Sequence, residues 1–123
     1  MSAQVIAGIG CRRGCAATDI LRVVERAGRK VAAIAVPAFK ADEPGVREAA
    51  RRLGVPVIRV DDAALADVQA CCVTRSRIAA RATGFASIAE ASALAASGPR
   101  GRLLLARIAE GGATCALAEA LSE

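Results

Sequence analysis

The chain has 123 residues, a net charge of +5 and a hydrophobic content of 54%, yet its only aromatic residues are Phe39 and Phe85. This length allows one domain with its own core, and the scarcity of aromatic rings argues against the stacking surfaces that bind single-stranded nucleic acid. No apolar run approaches the length of a membrane span, and the five cysteines are irregularly spaced, so neither a membrane protein nor a secreted disulfide framework is indicated.

The first half of the chain alternates between buried strands and amphipathic helices. Apolar, β-branched runs predict three strands, and apolar stripes at helical spacing predict two helices between them. In chain order these elements are Gln4 to Ile9, Ala16 to Ala27, Val31 to Val36, Pro44 to Leu53 and Val57 to Val60. This order predicts parallel strands joined by right-handed helical crossovers.

The second half contains short helices followed by two strands. Polar residues suited to N-caps precede three helical stretches: Asp61 or Asp62 before a helix reaching Ala70, Ser76 before Arg77 to Ala82, and Ser87 before Ile88 to Ala96. A closing hairpin pairs Leu103 to Ala109 with Ala113 to Ala118 through Glu110, Gly111 and Gly112. We therefore predict one domain over residues 1–123, an α/β fold of three layers with a mixed sheet of about five strands.

The stretch GIGCRRGC, residues 8–15, is the richest candidate for a binding loop. Glycines between a strand and a helix let backbone N–H groups approach an anion, and the spacing of Gly8, Gly10 and Gly14 resembles a dinucleotide fingerprint. That motif has one residue fewer before its last glycine, and an acidic residue should end the second strand, where Pro37 stands. A nucleotide site is therefore not favoured.

Two arginines in the same loop strengthen the case for an anionic ligand. A guanidinium binds a carboxylate or a phosphate through two hydrogen bonds, and Arg12 and Arg13 are adjacent. Residues 1–40 carry seven basic and two acidic side chains, so the basic excess lies around this loop. Lys40 and Glu43 follow the second strand, and we expect them at the same edge of the sheet.

The cysteines do not predict a metal site or a thiol enzyme. Cys11 and Cys15 are four residues apart, but the chain has no histidine and Cys71-Cys72 has no zinc-ligand spacing. Cys15 at a helix start beside arginines has some nucleophilic character, yet no histidine base accompanies it. We expect no bound metal and no cofactor, and reduced cysteines in a cytoplasmic protein.

Four segments together resemble the CobE family and the homologous C-terminal domain of CbiG, both of cobalamin biosynthesis. They are GIGCRRGCAATDI, FKADEPGVREAARRLGVPV, RSRIAARATGFASIAEASALAA and GGATCALA, in that order along nearly the whole chain. The chain departs from the family pattern at Cys15, where a small hydroxyl residue is more usual, and at Arg107, where lysine is frequent.

The resemblance implies a protein that binds a corrinoid or precorrin intermediate, a large tetrapyrrole that carries many carboxylates. By position, it also implies the ligand-facing residues: Gly8, Gly10, Cys11, Arg12, Arg13, Gly14, Lys40 and Ser87, with Glu43 and Glu90 as weaker candidates. Other cobalamin-biosynthesis enzymes are expected partners, whereas nucleic acid and membranes are not.

Two alternatives stay open at the level of sequence. In two-domain CbiG proteins the overall reaction opens a lactone on the corrin ring, so a hydrolase with Glu43 or Glu90 as general base is the first. The second is a non-catalytic module whose basic face docks another enzyme of the pathway. The catalytic residues, if there are any, are not identified by the sequence.

Overall fold

The computed structural model describes residues 2–72 and 87–122. Its strands are β1 (Ser2–Cys11), β2 (Ala33–Pro37), β3 (Val57–Val60), β4 (Arg102–Glu110) and β5 (Ala113–Ser122). Its α-helices are α1 (Ala17–Ala27), α2 (Pro44–Leu53), α3 (Asp62–Asp67) and α4 (Ile88–Ser97), and short 3-10 helices cover Ala38–Lys40 and Gln69–Cys71. The predicted helix Arg77 to Ala82 and its Ser76 cap lie outside the described residues.

The five strands form one mixed sheet in the order β3-β2-β1-β5-β4. β1, β2 and β3 are parallel, and the hairpin of β4 and β5 joins them because β5 pairs antiparallel with β1. The predicted fold class is therefore confirmed: three parallel strands with helical crossovers, followed by an antiparallel hairpin. The sequence did not predict that β5 lies inside the sheet, between β1 and β4.

Helices cover both faces of the sheet, which gives the three layers. On one face, α1 and α2 pack their apolar stripes against side chains of β1, β2 and β5, with Ile20, Val24 and Val46 among the buried residues. On the other face, α3 and α4 enclose a second cluster that contains Leu65 and Leu94. Small alanines fill much of this second cluster, as expected of a core with few aromatic residues.

The helix ends follow the local signals in the sequence. α2 begins at Pro44, and Gly54 ends it in the left-handed conformation with φ 71°. The Asp61 side chain accepts a hydrogen bond from the Ala64 N–H and caps α3, so of the two predicted candidates, Asp61 and Asp62, the first is the cap. However, α3 ends at Asp67 rather than near Ala70, because Val68 leaves the helical conformation and a 3-10 helix follows.

Strand β1 is longer than predicted and contains two of the loop glycines. The sequence placed the end of this strand at Ile9, but β1 continues to Cys11 because β5 supplies paired backbone partners along its whole length. Gly8 pairs with both Ala35 and Ala116. The loop that leaves the sheet is therefore shorter than GIGCRRGC.

None of the described helices is long and apolar enough to cross a membrane.

Candidate functional site

Gly8 has a packing reason to be glycine. A Cβ at this position would overlap the backbone carbonyl of Ala89 and lie 2.5 Å from the backbone nitrogen of Ala93, so α4 rests directly on β1. Gly8 is buried, and its backbone takes part in the sheet. The N-terminal turn of α4 lies farther along β1, over Gly10. α4 thus begins near the same sheet edge as the arginine loop.

The exposed part of the loop is a tight turn over Arg12, Arg13, Gly14 and Cys15. The Cys15 N–H donates to the Arg12 carbonyl at 3.1 Å, and Gly14 has φ 73°, a left-handed conformation that favours glycine. Both arginine side chains are exposed. Neither guanidinium has an ion-pair partner within residues 2–72 and 87–122, so both are available to an external anion.

The loop before α2 holds this turn from one side. The Gly14 N–H donates to Oε1 of Glu43 at 3.2 Å, and the same oxygen lies 3.8 Å from Nζ of Lys40. Both side chains of this ion pair are about four-fifths buried, at 22% and 19% exposed. The predicted proximity of Lys40 and Glu43 to the arginine loop is therefore observed, with Glu43 as the direct contact.

The β4–β5 hairpin holds the turn from the other side. The Arg12 N–H donates to the Gly112 carbonyl at 3.3 Å, and the Gly112 N–H donates to Oδ2 of Asp19 at 3.4 Å. Asp19 lies in the first turn of α1. This role of Asp19 could not be predicted from the sequence, because the hairpin that it contacts is more than ninety positions away.

Two helices start at the turn without a side-chain cap. The N-cap residues of α1 and α2 are Ala16 and Glu43, and neither side chain bonds to the helix that it precedes. The two starts are in contact, because a Cβ on Gly45 would overlap the Cys15 carbonyl. Helix N-termini carry partial positive charge on their free N–H groups. The turn therefore lies beside two positive helix ends, whose field the arginines increase and the Glu43 and Asp19 carboxylates reduce.

The Cys11 thiol lies beside this cluster but is not activated by it. Burial, a hydrogen bond with Cys15 and the nearby Glu43 carboxylate raise the pKa of Cys11 to about 12, and the opposing effect of Lys40 is smaller. Such a thiol stays protonated at neutral pH and is a poor nucleophile. Among the described residues no three of Cys, Asp and Glu come together as metal ligands.

Ser87 precedes α4 and Glu90 lies in its first turn, and both side chains are buried. Ser87 Oγ accepts the Glu90 N–H at 3.4 Å, so Ser87 is the N-cap predicted from the sequence. Oε2 of Glu90 accepts the backbone N–H of Arg107 in β4 at 2.9 Å. The structure therefore brings Glu43, but not Glu90, into direct contact with the turn.

These features define a three-layer α/β domain with a basic turn at the carboxyl edge of its parallel strands, where such sheets usually bind ligands. The chain matches the family described as "Cobalamin synthesis G C-terminus" over residues 5–118. It therefore belongs to the CobE/CbiG C-terminal family of cobalamin biosynthesis proteins.

Known relatives agree with this assignment. Protein CobE of Sinorhizobium sp is 29% identical in an alignment 123 positions long, which covers 94% of this chain and 80% of the relative. The crystal structure of CobE, a protein from the cobalamin (vitamin B12) biosynthetic pathway, superposes with a TM-score of 0.91 at 38% identity, covering 99% of this chain and 97% of that one.

Two further structures share the fold. Cobalamin biosynthesis protein chiG from Agrobacterium tumefaciens str. C58 is 38% identical with a TM-score of 0.74, covering 93% of this chain and 96% of that one. A putative cobalamin biosynthesis protein G homolog from Sulfolobus solfataricus has a TM-score of 0.73 at 20% identity. The superposition covers 98% of this chain but only 38% of that homolog, which is much longer.

Proposed function

We propose that this chain binds a polycarboxylate corrinoid or precorrin intermediate at the turn formed by Arg12, Arg13, Gly14 and Cys15. One observation carries the proposal: two exposed guanidinium groups without ion-pair partners in the described chain stand beside two helix N-termini that lack side-chain caps. Each of these features favours negative charge, and together they favour a ligand with more than one carboxylate.

Membership of a family of cobalamin biosynthesis proteins supports this ligand class. The corrinoid intermediates of cobalamin biosynthesis carry several carboxylates around one ring, so one carboxylate can bind Arg12 while a second binds Arg13. Guanidinium forks suit this task because each presents two parallel N–H donors to a carboxylate. The backbones of Gly8 and Gly10 are part of β1, the strand that leads into the turn, so in this proposal they support the turn. The exposed residues make the contacts with the ligand.

Glu43 has a positioning role in this proposal. Its Oε1 is engaged by the Gly14 N–H and by Lys40, and a carboxylate held in this way orders the turn and offsets the lysine charge. The exposed guanidinium groups of Arg12 and Arg13 then remain available to bind the carboxylates of the ligand. In the alternative, lactone hydrolysis, the same carboxylate would act as general base and accept a proton from water.

The test is a titration of the protein with cobyrinic acid, followed by the visible spectrum of the corrin. Cobinamide serves as the control ligand, because it carries amides where cobyrinic acid carries carboxylates. We expect saturable binding of cobyrinic acid at micromolar protein, much weaker binding of cobinamide, and an affinity that falls as salt is added. Equal affinity for both ligands would contradict a carboxylate site.

A double variant locates the site. Arg12→Ala with Arg13→Ala removes two charge-assisted contacts at an exposed position, each worth about 1 kcal/mol, so the Kd should rise about 30-fold. Arg22→Ala with Arg29→Ala is the control, because both residues are exposed and the change in net charge is the same. Equal losses in the two double variants would show that net charge, rather than the turn, attracts the ligand.

Release of a hydrolysis product from a corrin lactone would support the enzyme alternative instead.

A further inference from the structure

A second group of arginines surrounds a cavity between α2 and the edge strand β3. The cavity has a volume of about 380 Å³, and its walls carry Arg47, Arg51, Arg59 and Asp42. Its floor is apolar, formed by Ala41, Ala50, Val55 and Val57. An adjoining depression of about 370 Å³ shares three of these polar residues and extends the cavity along the outer side of α2. This volume accommodates a small organic or inorganic anion.

The fold brings the three arginines together from two elements. Arg47 and Arg51 are four residues apart in α2, so their side chains project from the same side of the helix. In β3, Val57 packs against the core on the α1 and α2 face, and Arg59, two residues later, points to that face as well. Donors therefore approach the cavity from the helix on one side and from the strand on the other.

The cavity keeps a positive excess after its ion pairs are counted. Arg59 donates to Oδ1 of Asp42 at 2.6 Å. Arg51 is paired with Glu48, which also accepts from Arg52 at 2.7 Å, and these hydrogen bonds lower the pKa of Glu48. Arg47 is exposed and has no ion-pair partner in the part of the chain that the structure describes. The three guanidinium groups at the cavity, together with Arg52 outside it, thus share the two carboxylates of Asp42 and Glu48.

We propose that this cavity is a second anion site, which binds a multivalent phosphate-type anion such as pyrophosphate or a phosphate monoester. A tetrahedral phosphate has enough oxygens to accept from guanidinium groups in different directions, whereas a planar carboxylate is satisfied by one guanidinium fork. The site is separate from the turn at Arg12. Neighbouring residues divide between the two: Asp42 faces the cavity, and Glu43 faces Gly14.

Isothermal titration of the full chain with pyrophosphate in phosphate-free, low-salt buffer tests this site. Arg47→Ala with Arg59→Ala should raise the Kd for pyrophosphate at least tenfold. The variant pairs at Arg12 and Arg13, and at Arg22 and Arg29, should each change it less than threefold. Asp42→Asn should tighten binding several-fold, because it removes the carboxylate that competes for Arg59.

The outcomes separate this site from the proposed corrinoid site. The second site would be overturned if the Arg12 and Arg13 variant lost pyrophosphate binding while the Arg47 and Arg59 variant still bound pyrophosphate normally. Citrate that binds as tightly as pyrophosphate and with the same arginine dependence would overturn the phosphate assignment. An Arg47 and Arg59 variant that binds cobyrinic acid normally but not pyrophosphate would establish two independent sites.

Discussion

Gly14 donates its backbone N–H to the Glu43 carboxylate at 3.2 Å, and this hydrogen bond joins the loop after β1 to the loop after β2. The conformation of the arginine turn is therefore set by a neighbouring side chain as well as by its own residues. Lys40, 3.8 Å from the same oxygen, holds that carboxylate in place. Such preorganisation lowers the entropy that binding must remove from the loop.

Substitution of Glu43 measures what this hydrogen bond contributes to binding. Glu43→Gln and Glu43→Ala both remove the charge, but only glutamine retains an oxygen that can accept the Gly14 N–H. We expect the alanine variant to bind cobyrinic acid about fivefold more weakly than the glutamine variant, the effect of one hydrogen bond of about 1 kcal/mol. The spectroscopic titration described above gives both constants, and equal values would show that the bond does not order the turn.

The contact between Gly8 and α4 predicts a large loss of stability on enlarging this residue. The new Cβ of Gly8→Ala would meet backbone atoms of Ala89 and Ala93, which cannot rotate away, so the free energy of unfolding should fall by about 3 kcal/mol. Gly112→Ala is the matched control, since its Cβ would have no neighbour closer than 3.5 Å, and it should change stability by less than about 1 kcal/mol. Urea denaturation measures both, and similar values for the two variants would refute the close contact.

Glu90 should contribute to stability through its bond to β4. Glu90→Ala leaves a cavity and a backbone N–H at Arg107 without this acceptor, which should cost about 2–4 kcal/mol. Glu90→Gln keeps the volume and an acceptor oxygen, so we expect less than half of that loss. Thermal or urea unfolding of the two variants decides this. If both were as stable as the unsubstituted protein, the buried contact would have no structural role.

The buried thiol of Cys115 and the partly buried thiol of Cys11 predict a loss of stability at alkaline pH. Burial raises the pKa of Cys115 to about 12, and it is also the largest cause of the similar pKa of Cys11. Between about pH 9 and pH 12 the unfolded chain releases these protons while the folded chain keeps them. The folded state then binds more protons than the unfolded state, so stability falls as pH rises, by up to about 1.4 kcal/mol per pH unit for the buried Cys115 thiol and by less for Cys11, which solvent partly screens.

Cys115→Ala should remove the contribution of this thiol to the pH dependence of the free energy of unfolding, whatever the effect of the substitution on stability at neutral pH. Cys71→Ala is the control, because this cysteine is exposed. Urea denaturation at pH 8, 9 and 10 gives the slopes. An unchanged slope in the Cys115 variant would mean that its thiol titrates alike in the folded and unfolded chains.

Local signals in the sequence predicted most of the elements. Pro44 marked the start of α2, Ser87 and one of the pair Asp61 and Asp62 were predicted as caps, and the bounds of β3 matched the prediction. Each of these features depends on residues that are close in sequence. The sequence also indicated that Arg12, Arg13 and Glu43 meet at one sheet edge, since that follows from the order of parallel strands.

Features that depend on distant residues could not be predicted in this way. The extension of β1 to Cys11 requires the pairing of this strand with β5, and the contact of Asp19 with the hairpin requires the hairpin to be in place. The close approach at Gly8 depends on α4, which lies far along the chain. In each case the deciding partner is supplied by the tertiary fold.

The position of β5 between β1 and β4 also has a consequence for how the protein folds. During synthesis, β1 and β4 both emerge from the ribosome before the strand that separates them in the finished sheet. Until β5 arrives, the edge of β1 that it will cover lacks its partner, and unpaired strand edges invite association with other chains. The pairing of Ser2 with Ser122 also makes the contacts strongly non-local, which slows folding. We therefore expect the nascent chain to need protection along β1 until its last strand is complete.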